Sequence, residues 1–143
     1  MQDRYLFKAK RKDNGEWVEG FYFCMTHTDG RHTHHFIIPL GADLSLGTPV
    51  EKIQVEVDQS TICQCTGLKD KNGKLIWEND VCDRKEEYPE IVKYNNGDWT
   101  LDYSYSKDRE SGYCYCNLGF YVLERKCVEV IGNVFDNPEL LEV

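Results

Sequence analysis

Two closely spaced cysteine pairs are the residues that most directly suggest chemistry. They are Cys63 with Cys65, and Cys114 with Cys116. Four thiolates can bind zinc, but alternate residues of a strand have Cα atoms about 6.6 Å apart, whereas two sulfurs on one zinc lie about 3.8 Å apart. We therefore expect these cysteines to pack as small hydrophobic residues. We also expect all seven thiols of the chain to be reduced, without a bound metal.

A second candidate is the group of four histidines around the dipeptide Asp29-Gly30. They are His27, His32, His34 and His35. If Asp29-Gly30 forms a tight hairpin turn, His27 faces His32 and His34 lies on the same face. Three imidazoles there could hold a transition metal. A change of one residue in the turn would scatter the group, so we expect a solvated hairpin tip.

Acid–base and nucleophilic catalysis have weaker support. Glu78 and Asp80 form an acidic pair, but beside a turn a carboxylate usually accepts local backbone hydrogen bonds. Residues 70–73 resemble the start of a calcium loop, yet its later ligands are missing. Seven cysteines and four histidines leave a Cys–His nucleophile pair open without specifying one. The known hydrolase, metalloprotease and nucleotide-binding motifs are absent from the sequence. We therefore predict no catalytic, cofactor-binding or metal-binding residues, and a protein that is not an enzyme.

The elements that would position these residues are short β hairpins. Turn signatures lie between segments rich in β-branched and aromatic residues, at Asn14-Gly15, Asp29-Gly30, Asn72-Gly73 and Asn96-Gly97. A two-residue turn at Asn96-Gly97 places Tyr94 opposite Trp99 and Val92 opposite Leu101 on one face. We predict that this face, continued by Tyr103, is buried. A similar turn at Asn14-Gly15 would pair Lys10 with Glu19 and Phe7 with Tyr22.

The arrangement of these segments predicts two domains, a β-hairpin region over residues 1–54 and a β unit over residues 55–143. Segment 38–53 contains two prolines and two glycines and is predicted to be an irregular connection. Strands of the second domain are predicted near residues 61–66, 75–84, 90–94, 98–105, 113–123 and 127–135. This number of short strands is typical of a small barrel or sandwich. A final helical turn begins at Pro138 and would be capped by Asn137.

Composition and charge exclude several classes of protein. The formal charge of -8 over 143 residues disfavours binding to nucleic acids and to anionic lipids. The sequence has no stretch near the roughly 20 apolar residues that span a bilayer, and its start lacks the apolar core of a signal peptide. The odd number of cysteines, seven, does not suggest a secreted disulfide framework. We therefore expect a protein of the reducing cytoplasm, without membrane contact.

Two long motifs carry a family resemblance. Residues 61–81 read TICQCTGLKDKNGKLIWENDV, and residues 128–141 read VEVIGNVFDNPELL. Their order and spacing resemble the YopX family of phage and prophage proteins, and residues 5–9 also fit its N-terminal pattern. Cys65 stands where the family has an aromatic residue, and Asn79 stands where it has a glycine. Asn tolerates a positive φ better than most residues, so we expect the turn to persist. The family keeps an aromatic residue at the position of Trp77, whose ring we expect to be buried.

The resemblance implies an SH3-like small barrel in the C-terminal part and a phage or prophage origin, hence the cytoplasm of a bacterial host. It implies no activity, because the family has no assigned biochemistry. Our main hypothesis is a non-enzymatic accessory protein that self-associates as a homo-oligomer or binds a host or phage protein, since short strands leave exposed edges. The alternative is a nucleic-acid-associated small β barrel, using Lys69, Lys71 and Lys74 along one turn, and an undetected enzyme is the third hypothesis.

Overall fold

Antiparallel β strands dominate the protein. The computed structural model describes residues 2–43, 45, 47–105 and 116–142, and the helices among them are short. Two compact units are present, Met1–Gln64 and Cys65–Val143. The sequence suggests a boundary after residue 54 instead, and the two boundaries differ because residues 55–57 pair with strands of the first unit. Within the described residues, no helix has the length and apolar character needed to cross a membrane.

The first unit is a sheet of antiparallel strands. Its strands are β1 (Phe7–Lys10), β2 (Trp17–Thr26), β3 (Thr33–Pro39), β4 (Val55–Glu56) and the first residues of β5 (Cys63–Lys69), in the spatial order β4-β3-β2-β1-β5. Three 3₁₀ helices, Asp3–Tyr5, Val50–Lys52 and Gln59–Thr61, connect or precede the strands. One of them lies inside the predicted irregular segment 38–53.

Strand alternation gives this sheet one core face. Ala9, Ile37 and Val57 are fully or almost fully buried there, and Phe7 and Tyr22 pack against them. In the middle of β2, a Cβ atom at Gly20 would lie against the backbone carbonyl oxygen of Ile38. Gly20 is therefore required for β2 and β3 to approach each other at this point.

The predicted register of the first hairpin is wrong by two residues. Lys10 faces Trp17 rather than Glu19, because a loop of four residues replaces the predicted two-residue turn. Arg11 N donates to the carbonyl oxygen of Glu16 at 2.9 Å and closes the loop. The side-chain oxygen of Asn14 accepts the N–H of Glu16 at 2.9 Å and stabilises it. A shift of two residues leaves each side chain on its predicted face.

The second unit contains a five-stranded sheet. Its strands are β7 (Asp80–Asp83), β8 (Glu90–Asn95), β9 (Asp98–Asp102), β10 (Cys116–Asn117) and β11 (Glu129–Asn133), in the spatial order β10-β9-β8-β7-β11. Strand β6 (Leu75–Trp77) pairs with Cys65 and Lys69 of β5. A π-helical segment, Phe120–Glu124, and a 3₁₀ helix, Pro138–Leu141, complete the unit. The core is formed by Ile76, Cys82, Val92, Leu101, Leu118 and Val128.

Two predicted strands of this unit require correction. The strand predicted over 75–84 is interrupted at Glu78 and Asn79, where φ of Asn79 is 69°, and becomes β6 and β7. Of the strand predicted over 113–123, residues 113–115 lie outside the described residues, and β10 covers only Cys116–Asn117. The side chain of Asn117 then accepts the N–H of Phe120 at 2.7 Å, and the chain continues as a helical segment.

The hairpin at Asn96-Gly97 has the predicted register, whereas the prediction that its shared face is buried is only partly correct. Tyr94 faces Trp99, and Asn96 and Gly97 have φ values of 51° and 85°, as a type I′ turn requires. Val92 and Leu101 are completely buried, but Tyr94 is 57% exposed. The burial prediction is wrong for Tyr94 because the turn end of the hairpin, where Tyr94 lies, extends beyond the core.

Candidate functional site

Asp70, in the first family motif, organises a loop of the second unit. Its Oδ1 accepts the N–H groups of Asn72 and Lys74, each at 2.9 Å, and its Oδ2 accepts the N–H of Val130 at 3.0 Å. Burial would raise the pKa of Asp70, but these three hydrogen bonds outweigh it and hold the pKa below its ordinary value. Asp70 therefore connects the loop at Gly73 to strand β11 through backbone hydrogen bonds.

Asp70→Asn should destabilise the protein at neutral pH and much less in acid. At pH 7 we expect a loss of about 1–3 kcal/mol, because the amide NH₂ cannot accept a buried N–H. The lowered folded-state pKa means that the carboxylate stabilises the fold above the unfolded-state pKa of about 3.9, and this is lost as the pH falls through the folded-state pKa. Urea unfolding of both proteins at pH 7 and near pH 3 measures the effect. Glu124→Gln, at an exposed carboxylate, is the control, and a difference independent of pH would contradict the prediction.

Asp80 has a comparable role at the turn between β6 and β7. Its carboxylate is buried, and Oδ2 accepts the N–H of Trp77 at 2.8 Å. Asn79 adopts the left-handed conformation that the family glycine would provide, and its Oδ1 accepts a hydrogen bond from Lys93 Nζ at 3.0 Å. Asp80 therefore has the structural hydrogen-bonding role that the sequence predicts, and Glu78 lies in the turn before it. The ring of Trp77 is 4% exposed, which confirms its predicted burial.

The second family motif forms a compact C-terminal turn. Asn133 Oδ1 accepts the N–H groups of Phe135 and Asp136, and Asn137 Oδ1 accepts the N–H of Asn133 at 3.1 Å. A Cβ atom at Gly132 would lie 2.6 Å from Asn137 Oδ1, so the turn needs glycine there. The predicted helical turn is present with Asn137 at its N-cap position, but the Asn137 side chain makes no capping hydrogen bond, because its Oδ1 accepts the N–H of Asn133 instead.

The two cysteine pairs singled out in the sequence are only partly within the described residues. Cys63 and Cys65 are buried, as expected of small hydrophobic residues, and burial raises the pKa of the Cys82 thiol well above its ordinary value. Cys114 lies outside the described residues. Among the described residues, the six cysteines are not joined in disulfides.

A buried ion pair in the second unit was not predicted from the sequence. Arg84 Nε lies 2.5 Å from Glu90 Oε1, and the side chains are only 8% and 1% exposed. Arg84 also donates to Cys116 Sγ at 3.2 Å, and its guanidinium lies 4.2 Å from the ring centroid of Tyr121. Burial alone would lower the pKa of Arg84, but Glu90 raises it, so the guanidinium stays charged. Residues 83–90 are mostly charged and resemble a solvated loop in sequence, so no local signal identified the pair.

The β2–β3 hairpin brings the predicted histidines together. His27 faces His32, as predicted, and the ring centroid of His27 lies 6.0 Å from that of His32 and 5.1 Å from that of His34. His35 lies on the opposite face of β3, across from Cys24, and its Nδ1 is 2.6 Å from the hydroxyl of Tyr22. Three imidazoles therefore share the end of one face, and the fourth belongs to the core face.

The same hairpin presents exposed apolar side chains below the histidines. Phe21 and Met25 are 38% and 51% exposed, and the ring of Phe23 stacks on that of Phe36 at 5.2 Å between centroids. A groove of about 410 Å³ lies at the end of this face nearest the histidines, and it is lined by Met25, Thr26, His27, His34 and Phe36. Such a face is suited to protein contact.

Together, these elements define a small antiparallel β protein whose motif residues shape its turns. Residues 6–142 match the YopX protein family, and the chain belongs to that family. It is also similar to protein EF1440 from Enterococcus faecalis, known from a crystal structure, with a TM-score of 0.50 and 24% identity over 94% of this chain and 96% of that chain. At this identity the similarity shows the fold alone. No curated protein matches the chain significantly.

Proposed function

We propose that this chain is a non-enzymatic interaction module that self-associates through the outer edge of strand β2. The observation that carries the proposal is a difference in strand length. Strand β1 pairs with β2 only from Trp17 to Gly20, whereas β2 continues to Thr26. Within the described residues of the first unit, no strand pairs with residues 21–26 on the β1 side. The reason is that the residues before Phe7 turn into the 3₁₀ helix Asp3–Tyr5.

The backbone of this edge is oriented for pairing with another strand. His27 N donates to the carbonyl oxygen of His32, and Leu40 N donates to that of Glu19, so the odd-numbered residues of β2 bond to β3. In an antiparallel ladder the alternate residues point their N–H and C=O groups to the other side. Tyr22, Cys24 and Thr26 thus present backbone donors and acceptors at the open edge, and such an edge is a template for another strand.

A second copy of the chain fits this edge, because its own β2 edge presents the same backbone donors and acceptors. Two β2 edges can pair antiparallel about a two-fold axis, which gives a closed, isologous dimer. The exposed Phe21 and Met25 lie along the same strand and would extend the contact with apolar surface. The formal charge of -8 favours a soluble closed dimer over extended aggregation.

Light scattering coupled to size exclusion, with reducing agent, tests this proposal. We expect the wild-type chain to have twice the 16.7 kDa mass of one chain. Cys24→Pro should shift the mass to that of the monomer, because proline removes the N–H at the centre of the edge and leaves the β2–β3 bonds intact.

Cys24→Ser is the matched control, since it changes the same side chain and keeps the backbone N–H. It should remain dimeric, and thermal melting should show that both variants fold. A mass of 16.7 kDa for the wild type at high protein concentration would remove the dimer. A Cys24→Pro protein that stays dimeric would show that the interface does not use this edge.

The alternative function, nucleic-acid association, has one supporting observation. Lys8 and Lys10 lie over the ring of Trp17, with Nζ atoms 4.7 and 5.4 Å from its centroid, and this combines positive charge with an aromatic surface. Against it, Lys71 is paired with Glu129 at 3.2 Å, and the whole chain is acidic. Binding to single-stranded DNA that weakens steeply with added salt would favour this alternative.

The proposal also includes the more specific properties that the family resemblance implies, which are the phage origin, the SH3-like barrel and the partner. Family membership supports a phage or prophage accessory protein that acts in the bacterial cytoplasm. The open five-stranded sheet and the β5–β6 pair are the parts from which an SH3-like barrel would be built, and the closed barrel itself stays a prediction. A host or phage protein is the further partner class that the proposal includes.

A further inference from the structure

The end of the β2–β3 hairpin contains a donor set that the proposed interaction function does not use. His34 is on β3 and His32 comes directly before that strand, two residues away in extended backbone, so their side chains lie on one face. His27 follows the last residue of β2 and lies opposite His32, to whose carbonyl oxygen its N–H donates. We propose that His27, His32 and His34 bind one divalent transition metal ion.

The spacing of the rings suits a single ion. Imidazole nitrogens lie about 2.0–2.1 Å from zinc, so the ring centroids of two ligands in a tetrahedral site lie about 5 Å apart. The centroids of His27 and His34 are 5.1 Å apart, and those of His27 and His32 are 6.0 Å apart. Unlike two cysteines on alternate strand residues, two imidazoles are long enough to converge above the sheet.

Carboxylates already orient two of the rings. Glu56 Oε2 lies 3.1 Å from His34 Nδ1, and Asp29 Oδ2 lies 3.0 Å from His32 Nδ1. A carboxylate accepts the proton of Nδ1, and this leaves the Nε2 lone pair of each ring as the ligand atom. Carboxylate–histidine pairs of this kind fix the tautomer and ring direction at metal sites.

Binding an ion at this position requires the side chains to rotate. Across the described residues, no three His, Cys, Asp or Glu side chains surround a common metal position in the present conformation. The side chains of His32 and His34 are 69% and 41% exposed, so an ion reaches them directly from solvent. Imidazole ligands select zinc, copper or nickel, and three histidines leave a fourth position open to water.

Calorimetric titration of the reduced full-length chain with zinc chloride tests the site. We expect one zinc per chain at this site, with His27→Asn and His34→Asn each lowering the affinity at least tenfold. Glu56→Gln should lower it about 10–100-fold, because the ring of His34 loses its carboxylate partner. His35→Asn is the matched control, because His35 is on the same strand and the opposite face, and it should bind zinc as the wild type does.

Circular dichroism melting establishes that each variant is folded. Absence of zinc binding at 100-fold excess over micromolar protein would overturn the proposal. Binding that is unaffected by His27→Asn and His34→Asn but abolished by alkylation of the thiols would assign the zinc to cysteines and overturn it as well. An equal loss of affinity in His35→Asn would also contradict the assignment, since it would not distinguish the two faces.

Discussion

Trp77→Ala should lower the free energy of unfolding by about 3–5 kcal/mol, because the surrounding side chains cannot close the cavity left by a buried indole. Trp77 is 4% exposed and follows Ile76, which is completely buried in the core of the second unit. Its backbone N–H is also bonded to Asp80, so the residue connects the core to the turn that follows β6. Urea unfolding, followed by far-ultraviolet circular dichroism, measures the loss.

Leu123→Ala is the control for this experiment. Leu123 belongs to the same unit, but its side chain is 62% exposed, so its removal should change the stability by less than about 0.5 kcal/mol. An unchanged midpoint for Trp77→Ala would mean that the ring is exposed in solution, and it would make Trp77 a candidate for partner contact.

Arg84→Met should cost a similar amount, about 3–5 kcal/mol, because it leaves the carboxylate of Glu90 buried without its cation. Met preserves much of the volume of the arginine stem, so the loss reports mainly on charge. Glu90 is 1% exposed, and water cannot replace the guanidinium there. Chemical unfolding at pH 7 is the measurement.

The double variant Arg84→Met/Glu90→Leu separates charge burial from packing. It should recover much of the stability lost in Arg84→Met, since replacing a whole buried pair by apolar groups is often neutral. Arg11→Met is the matched control, because Arg11 and Asp13 form an exposed pair at 2.8 Å whose loss should destabilise the protein far less. Equal losses for Arg84→Met and Arg11→Met would show that burial is not the cause.

Turn chemistry made the Asn96-Gly97 hairpin predictable and the Asn14-Gly15 hairpin less so. At Asn96 and Gly97 both φ values are positive, and the two residues alone form the turn. Around Asn14, hydrogen bonds from Arg11 N to Glu16 O and from Glu16 N to the Asn14 side chain select a longer loop. The same Asn-Gly dipeptide is compatible with several loop types, and the flanking residues determine which loop forms.

The candidate sites, too, were predictable from the sequence only in part. The sequence placed His27, His32 and His34 on one face, because strand period and turn register are local properties. It did not indicate the carboxylate partner Glu56, which is distant in the chain. The open edge of β2 was missed although a signal existed, since the β-like segment 17–26 is longer than the segment before Asn14 that pairs with it.

The sequence by itself determined the class of protein, the family motifs, the turn positions and the face on which most strand residues lie. Only the tertiary structure decided which of those faces is covered: Tyr94 is exposed, whereas Glu90 is buried against Arg84. It also decided that the chain after Asn117 becomes helical. The physical reason is that turn hydrogen bonds and φ preferences act over a few residues, whereas burial depends on elements brought together from distant parts of the chain.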